Sequence, residues 1–329
     1  MKTIELDVAV TRGGDIESMH RVHAAVVDAA GRVMAGARDP ELVTHWRSCA
    51  KMFQVMPLLQ SGGFDELKWG DAELTLSCAS HGGEPEHVAI ADRMLRSLGL
   101  EEGDLACGPH EPMSARGVKA LRDAGERPTR LHNNCSGKHA AMLGRAKTAG
   151  WKTSGYERRD HPVQESCLAA VAKWTRMAPD EIGQAVDGCG VVEFSLPLTN
   201  MASAFARLAV AMYDGEDCAA RIYQAIRSRP FLLGGSDRFD SILIEETDGR
   251  VISKVGAEGV HSVAIPAQGI GFAIKVEDGA QRAQYPAVIR MLQYLDALPE
   301  ALPERLAEFG RRGLRNTRGE CVGEVRSVA

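Results

Sequence analysis

Positive charge is not in excess in this 329-residue sequence, where 39 lysines and arginines stand against 44 acids for a net charge of -5. That removes the electrostatic footprint of nucleic-acid or anionic-membrane binding. Long apolar runs are also missing: nothing approaches the ~18 residues of a membrane span. Glu5 and Asp7 interrupt the stretch where a secretory leader has its unbroken apolar centre. The expectation is therefore a cytoplasmic protein. There is no CxxC pair, internal repeat, low-complexity tract or flexible linker. The eight cysteines are dispersed, unlike a small secreted disulfide framework, so they are expected as thiols, buried or metal-bound. Cys49, Cys78, Cys107, Cys167, Cys218 and Cys321 read as plain core or surface residues.

What is present is ordinary globular material, 44% hydrophobic and 25% charged, enough for a large core. Residues 4–11, 20–28 and 33–37 read as strands, the last two around a turn at Ala30-Gly31. From residue 41 the pattern turns helical, with helices predicted over 85–98, 114–124, 137–149, 162–175, 179–185, 201–213 and 217–228. Strands return at 241–246 and 251–254 around Asp248-Gly249, then at 262–266 and 271–277, before alanine- and leucine-rich helices and a polar tail over 319–329 whose end is expected to fray. This order predicts a single two-lobed α/β (α+β) domain: an α/β lobe over about 1–40 and 236–329, a mainly helical lobe over about 41–235, and a cleft where they meet, with Ser48 at the junction.

The stretch Trp46-Arg47-Ser48-Cys49-Ala50-Lys51-Met52-Phe53-Gln54 joins apolar helix to reactive chemistry. If a helix begins near Ser48, the Lys51 amine one turn on leans back toward the Ser48 hydroxyl. The apolar neighbours predict burial nearly all round, with Pro57 ending or kinking the helix. A free ammonium has a pKa of about 10.4, and desolvation can lower it by about 3 or more, giving an amine that can take a hydroxyl proton. Chance alone supplies about one SxxK in a chain of this size, but a lysine inside an apolar helix is costly unless used or paired.

Three other segments carry candidate chemistry. Ala79-Ser80-His81-Gly82-Gly83-Glu84-Pro85 is a small-residue loop offering a hydroxyl and an imidazole, or simply a loop with an acid at a helix start. His132-Asn133-Asn134-Cys135-Ser136-Gly137-Lys138-His139 and Asp187-Gly188-Cys189-Gly190 together offer two thiols and nitrogen donors suited to zinc, although spacing alone favours two unrelated buried cysteines. Lys254-Val255-Gly256-Ala257-Glu258-Gly259 ends a strand with a lysine beside glycines, either an exposed strand end or a second cation for the site.

Taken in order, these motifs resemble the rhizobial-type (class 3) L-asparaginases over nearly the whole chain, while SxxK and the lysine-glycine strand are shared with serine β-lactamases and penicillin-binding proteins. The resemblance implies a serine β-lactamase-like fold, an antiparallel sheet flanked by helices with an inserted helical lobe. It implies hydrolysis of L-asparagine to L-aspartate and ammonia through a serine acyl-enzyme, serine and lysine units at Ser48 with Lys51 and at Ser80 with Lys254, Zn2+ held by Cys135, Lys138 and Cys189, and a homodimer. Arg47, Asn134, His139, Asp187 and Glu258 are the candidates for substrate contacts. Ser80-His81-Gly82 replaces the Ser-Asp-Asn of the β-lactamases and Val255 replaces the Thr of Lys-Thr-Gly, which argues against β-lactam turnover. The rival readings are a zinc-dependent amidohydrolase or deaminase in which Ser48 only packs, and a non-catalytic amino-acid-binding sensor. Glutaminase activity is a variant within the first class, since one methylene is worth only about 1 to 3 kcal/mol in a pocket.

Overall fold

A computed structural model describes residues 1–328. The chain forms two compact units. The first comprises Met1–Cys49, Leu196–Tyr213 and the chain from Glu246 onward; the second comprises Ala50–Ser195 and Asp214–Glu245. The segment around residues 201–213, expected in the helical lobe, thus belongs with the strands, and residues 236–245 belong with the helices.

In the first unit, a six-stranded sheet runs in the order Lys2–Thr3, Val33–Ala37, Val22–Asp28, Ile270–Val276, Val260–Ile265 and Ile252–Val255. Every described pairing in it is antiparallel except that of Lys2–Thr3 with Val33–Ala37. The strands Val260–Ile265 and Ile270–Val276 are buried almost throughout, as expected for a sheet covered on both faces. The helix Leu198–Tyr213 lies on this sheet, and Gly271 is where the approach is closest: an added Cβ would stand 2.2 Å from the Ala206 backbone nitrogen and 2.4 Å from the Ala202 carbonyl oxygen. A second, four-stranded sheet is ordered Arg311–Arg315, Cys321–Ser327, Val8–Arg12 and Asp15–His20.

The second unit is mainly helical. Lys51–Gln60, Asp71–Cys78, Pro85–Ser97, Ser136–Thr148 and Pro162–Thr175 are its principal helices. Nine of the ten residues of Lys51–Gln60 are buried, so its stability comes from packing rather than amphipathicity. Pro57 does not end this helix, which runs on through Leu58 and Leu59. Gly137 lets the start of Ser136–Thr148 meet the backbone of Leu76, where a Cβ would come within 2.3 Å of a carbonyl oxygen.

Several predicted elements need correction. Residues 241–246 are part of a helix, Phe239–Glu246, not a strand. Short apolar runs do not distinguish the two by period; here the Ser241 hydroxyl donates to Pro230 O and accepts from Gly235 N–H, fixing a helical start. Residues 179–185 hold a single 3-10 turn, Pro179–Glu181, and then a strand, Gly183–Val186. The helices Gln281–Tyr294 and Glu304–Gly310 do not close the chain, because a β-hairpin follows. Its second strand, Cys321–Ser327, pairs with Val8–Arg12, so the tail described here is held and not frayed. That pairing joins the two ends of the chain, and no local pattern announces it.

The fit at Gly271 yields a test. Gly271→Ala forces backbone against backbone and is expected to cost about 3 kcal/mol, read as a lower urea midpoint. An unchanged midpoint would show that the helix Leu198–Tyr213 sits farther from the sheet.

Candidate active site

Within the first unit, Arg47–Ala50 forms a 3-10 turn. Arg47 enters it with φ of 53°, a left-handed conformation that residues other than glycine seldom adopt. Ser48 follows, half-buried. The Trp46 indole donates to Ser262 Oγ at 3.0 Å, and the Cys49 thiol donates to the Lys254 carbonyl at 3.0 Å, tying the turn to the strand Ile252–Val255. Gly256 permits this contact, since a Cβ there would stand 3.1 Å from Cys49 Sγ. Cys49, read from sequence as a packing residue, is thus the clamp that holds the Ser48 turn to Lys254. Lys254 is fully buried, its Nζ donating to Val255 O at 2.9 Å. Glu258 stands on the exposed turn beyond it with φ of 59°, its backbone carbonyl accepting from Lys275 Nζ.

Within the second unit, Lys51 is 0% exposed. Its amine donates to the Ala79 carbonyl and, at 3.0 Å, to Ser80 Oγ, and no carboxylate pairs with it among the described residues. The lysine is therefore joined to the Ser80 loop by two neutral acceptors. That loop is pinned from several sides: Ser80 N–H donates to Leu233 O at 3.0 Å, His81 N–H to Asn134 O at 3.2 Å, and Gly82 N–H to Gly234 O at 2.6 Å. His81 resembles a catalytic base, because its Nε2 lies 2.9 Å from Ser136 Oγ and both residues are wholly buried. Gly83 N–H, however, donates to its Nδ1, so Nε2 carries the ring proton and donates to the serine. Burial first, then the neighbouring His87 and Lys51, hold His81 well below the usual imidazole range, leaving it neutral and structural. The His87 ring stacks on it with centroids 5.0 Å apart. Glu84, at the helix start, has no exposed side-chain surface; it pairs with Arg116 at 2.7 Å and accepts from Ser236 N–H at 2.8 Å.

Beside this loop lies a thiol cluster. The ligand atoms of Cys135, Asp187 and Cys189 all lie within 4.8 Å of one another. Lys138 Nζ donates to Cys189 Sγ at 3.1 Å and stands 3.8 Å from the Asp187 carboxylate. Cys135 follows from the Asn133-Asn134 turn: its N–H donates to Asn133 Oδ1 at 2.9 Å, and its thiol donates to Asn134 Oδ1 at 3.0 Å. Gly190, at φ of 93°, lets the chain turn so that Asp187 and Cys189 face the same group. The two sulfurs divide one proton. The neighbouring Cys135 sulfur and the Lys138 ammonium hold Cys189 toward thiolate, while Cys189 and burial push Cys135 toward thiol. Burial opposes charge on Lys138, but the Cys189 and Cys135 sulfurs and Asp187 outweigh it and favour the ammonium. Two sulfurs, an amine and a carboxylate converging in a buried pocket are a donor set that fits a divalent zinc-type ion, provided the Cys135 and Lys138 protons leave.

His139 lies one helical turn after Cys135, its N–H donating to Cys135 O at 3.0 Å. Its Nδ1 is 2.6 Å from the Tyr156 hydroxyl, and its buried Nε2 has no partner among the described residues. Tyr156 carried no sequence signal, because it comes from a loop without a motif, and Ser136, though inside the motif of residues 132–139, was not singled out. Of the candidate residues, one unit brings Ser48, Arg47 and Lys254 onto joined segments; the other joins Lys51 to Ser80 and gathers Asn134, Cys135, Lys138, His139, Asp187 and Cys189.

The family model of L-asparaginase II matches residues 8–327. No curated protein matches the sequence at a significant level. Among solved structures, the native form of Mglu is 12% identical with a TM-score of 0.47, covering 86% of this chain and 66% of its own. An octameric penicillin-binding protein homologue from Pyrococcus abyssi is 14% identical with a TM-score of 0.35, covering 85% of this chain and 74% of its own. A simvastatin synthase from Aspergillus terreus is 10% identical with a TM-score of 0.31, covering 83% and 93%. The chain spans less than two thirds of the length of the Mglu structures, 66% of the native form and 61% of the glutamate form. The match to the L-asparaginase II model runs through every motif described above, and the chain belongs to that family.

Proposed function

We propose that the protein is an amidohydrolase that cleaves L-asparagine to L-aspartate and ammonia by acyl transfer through a serine. The observation that carries this reading is the Lys51 amine, wholly buried and bonded to Ser80 Oγ at 3.0 Å without a carboxylate partner among the described residues. An amine so placed has no acid beside it and lies within hydrogen-bond reach of a hydroxyl, the geometry that proton transfer from a serine requires.

A nucleophile must reach its substrate. Ser48 is half-buried whereas Ser80 is 4% exposed, so Ser48 is assigned the attack on the side-chain carboxamide carbon. Lys51, three residues along the chain, takes the Ser48 proton as the carbon–oxygen bond forms. The tetrahedral intermediate collapses with loss of ammonia, protonated through Ser80 and Lys254. Water then hydrolyses the β-aspartyl ester and restores Ser48. The Lys51–Ser80 bond also favours a second reading, in which Ser80 attacks with Lys51 as its base.

Cys135, Lys138 and Cys189 would hold Zn2+, with Asp187 beside them, and the ion's charge would supply a binding point for an anionic group of the substrate. Asp187 is suited to the substrate's α-ammonium, and Arg47 to its carboxylate. Two thiolates leave such an ion a weak Lewis acid, so its part lies in binding.

Ammonia release under multiple turnover tests the assignment. Ser48→Ala is expected to lose about 10⁴-fold or more in kcat, and Ser80→Ala about 10²- to 10⁴-fold, as befits proton transfer. The reverse ranking would make Ser80 the nucleophile, and a Ser48→Ala enzyme that retains most of its activity would favour metal-bound hydroxide. Chelation is expected to raise KM for asparagine while leaving kcat within about threefold; loss of kcat at unchanged KM would contradict the binding role.

A further inference from the structure

Tyr156 is 1% exposed, and its hydroxyl accepts the Ala106 N–H at 2.9 Å. A buried phenol must also dispose of its own proton. Among the described residues the acceptor within reach is His139 Nδ1 at 2.6 Å, in an edge-on contact of the two rings. Nδ1 then accepts, and the proton of the neutral ring resides on Nε2. The result is an Nε2–H donor that is wholly buried and finds no acceptor among the described residues, not even the sulfurs of Cys135 or Cys189. A fold seldom leaves such a donor without a use.

His139 follows Lys138 in the same helix and its backbone N–H bonds the Cys135 carbonyl, so the ring belongs to the turn that carries the thiol cluster. Lys51 is committed to Ala79 and Ser80, and Asp187 can serve an ammonium but not a carboxylate. A carboxylate has more lone pairs than one cation fills, so a neutral N–H here adds a directed donor to the charge that Arg47 and a bound ion would supply. We propose that His139 donates its Nε2–H to the α-carboxylate of the bound amino acid and that Tyr156 is the positioning residue that fixes the donating tautomer. This rests on the amino-acid amide reading above, but its first test does not.

The ring nitrogens of histidine-labelled protein, as purified and without substrate, report the tautomer directly by 15N NMR, with His139→Gln identifying the signals. The expected result is a protonated Nε2 and a bare Nδ1 at residue 139; a protonated Nδ1 overturns the proposal whatever the substrate. Tyr156→Phe is expected to lose this preference and to raise KM for asparagine about tenfold with kcat within about threefold. His139→Gln, whose amide places an N–H near the Nε2 position, is expected to keep KM within about threefold, whereas His139→Ala raises it about tenfold or more. Loss of kcat at unchanged KM in His139→Ala would place the donor on the reacting carbonyl and overturn the carboxylate assignment. If Tyr156→Phe does not fold, the wild-type spectrum and the pair of His139 variants still decide. A wild-type protein that releases no ammonia from asparagine defeats the functional reading instead, and leaves the tautomer result standing.

Discussion

A lysine amine held in a dry interior by a carbonyl and a hydroxyl, with no acid beside it, is the constraint on which the second unit turns. Lys51 lies in a helix buried on almost every side, so its amine has no route to water and must be served by what surrounds it. The Ala79-Ser80 segment meets that need, and three backbone hydrogen bonds from Ser80, His81 and Gly82 hold the segment in place. Remove the clamp and a bonded lysine becomes a stranded one, which is expensive in any fold. Structure and reactivity are here the same requirement: the geometry that makes the amine tolerable also places it against a hydroxyl.

The neighbouring cluster solves a related problem with charge. A buried ammonium at Lys138 is compensated by sulfur and carboxylate at Cys189, Cys135 and Asp187. A divalent ion in this set would displace the protons of Lys138 and Cys135, and the donors that would hold it already converge. The histidines around it are not bases in waiting. His81 is locked by Gly83 N–H and His87 by Glu84 N–H, so each ring is a neutral donor that braces backbone or serine. The residues with apparent catalytic identity therefore divide into those that carry chemistry and those that hold the loops in register.

Much of this was legible in the sequence, for physical reasons that differ by element. The helices Pro162–Thr175 and Asp217–Ser228 carry their periodic apolar faces and start signals locally, and their bounds coincide with those predicted. Family membership followed from short motifs whose residues sit within a few positions of one another. Phe239–Glu246 was misread because six residues of Ser, Ile, Leu and Glu fit either period. The Cys321–Ser327 strand and the Cys49 clamp were invisible because each depends on a partner hundreds of residues away. Tyr156 was missed for the same reason, and the bond between Lys51 and Ser80 was not anticipated, since spacing along a helix suggested Ser48 and gave no hint of the loop that reaches in from residue 79.

The claim that most needs direct proof is that a covalent ester forms on the accessible serine. Rapid acid quench of the protein during turnover of L-asparagine, followed by proteolysis and mass spectrometry, reads it without reference to rates. The expected result is an aspartyl adduct on the peptide that contains Ser48, appearing within the first turnover and vanishing as substrate is exhausted. An adduct on the peptide containing Ser80, or none on either while ammonia accumulates, would contradict it.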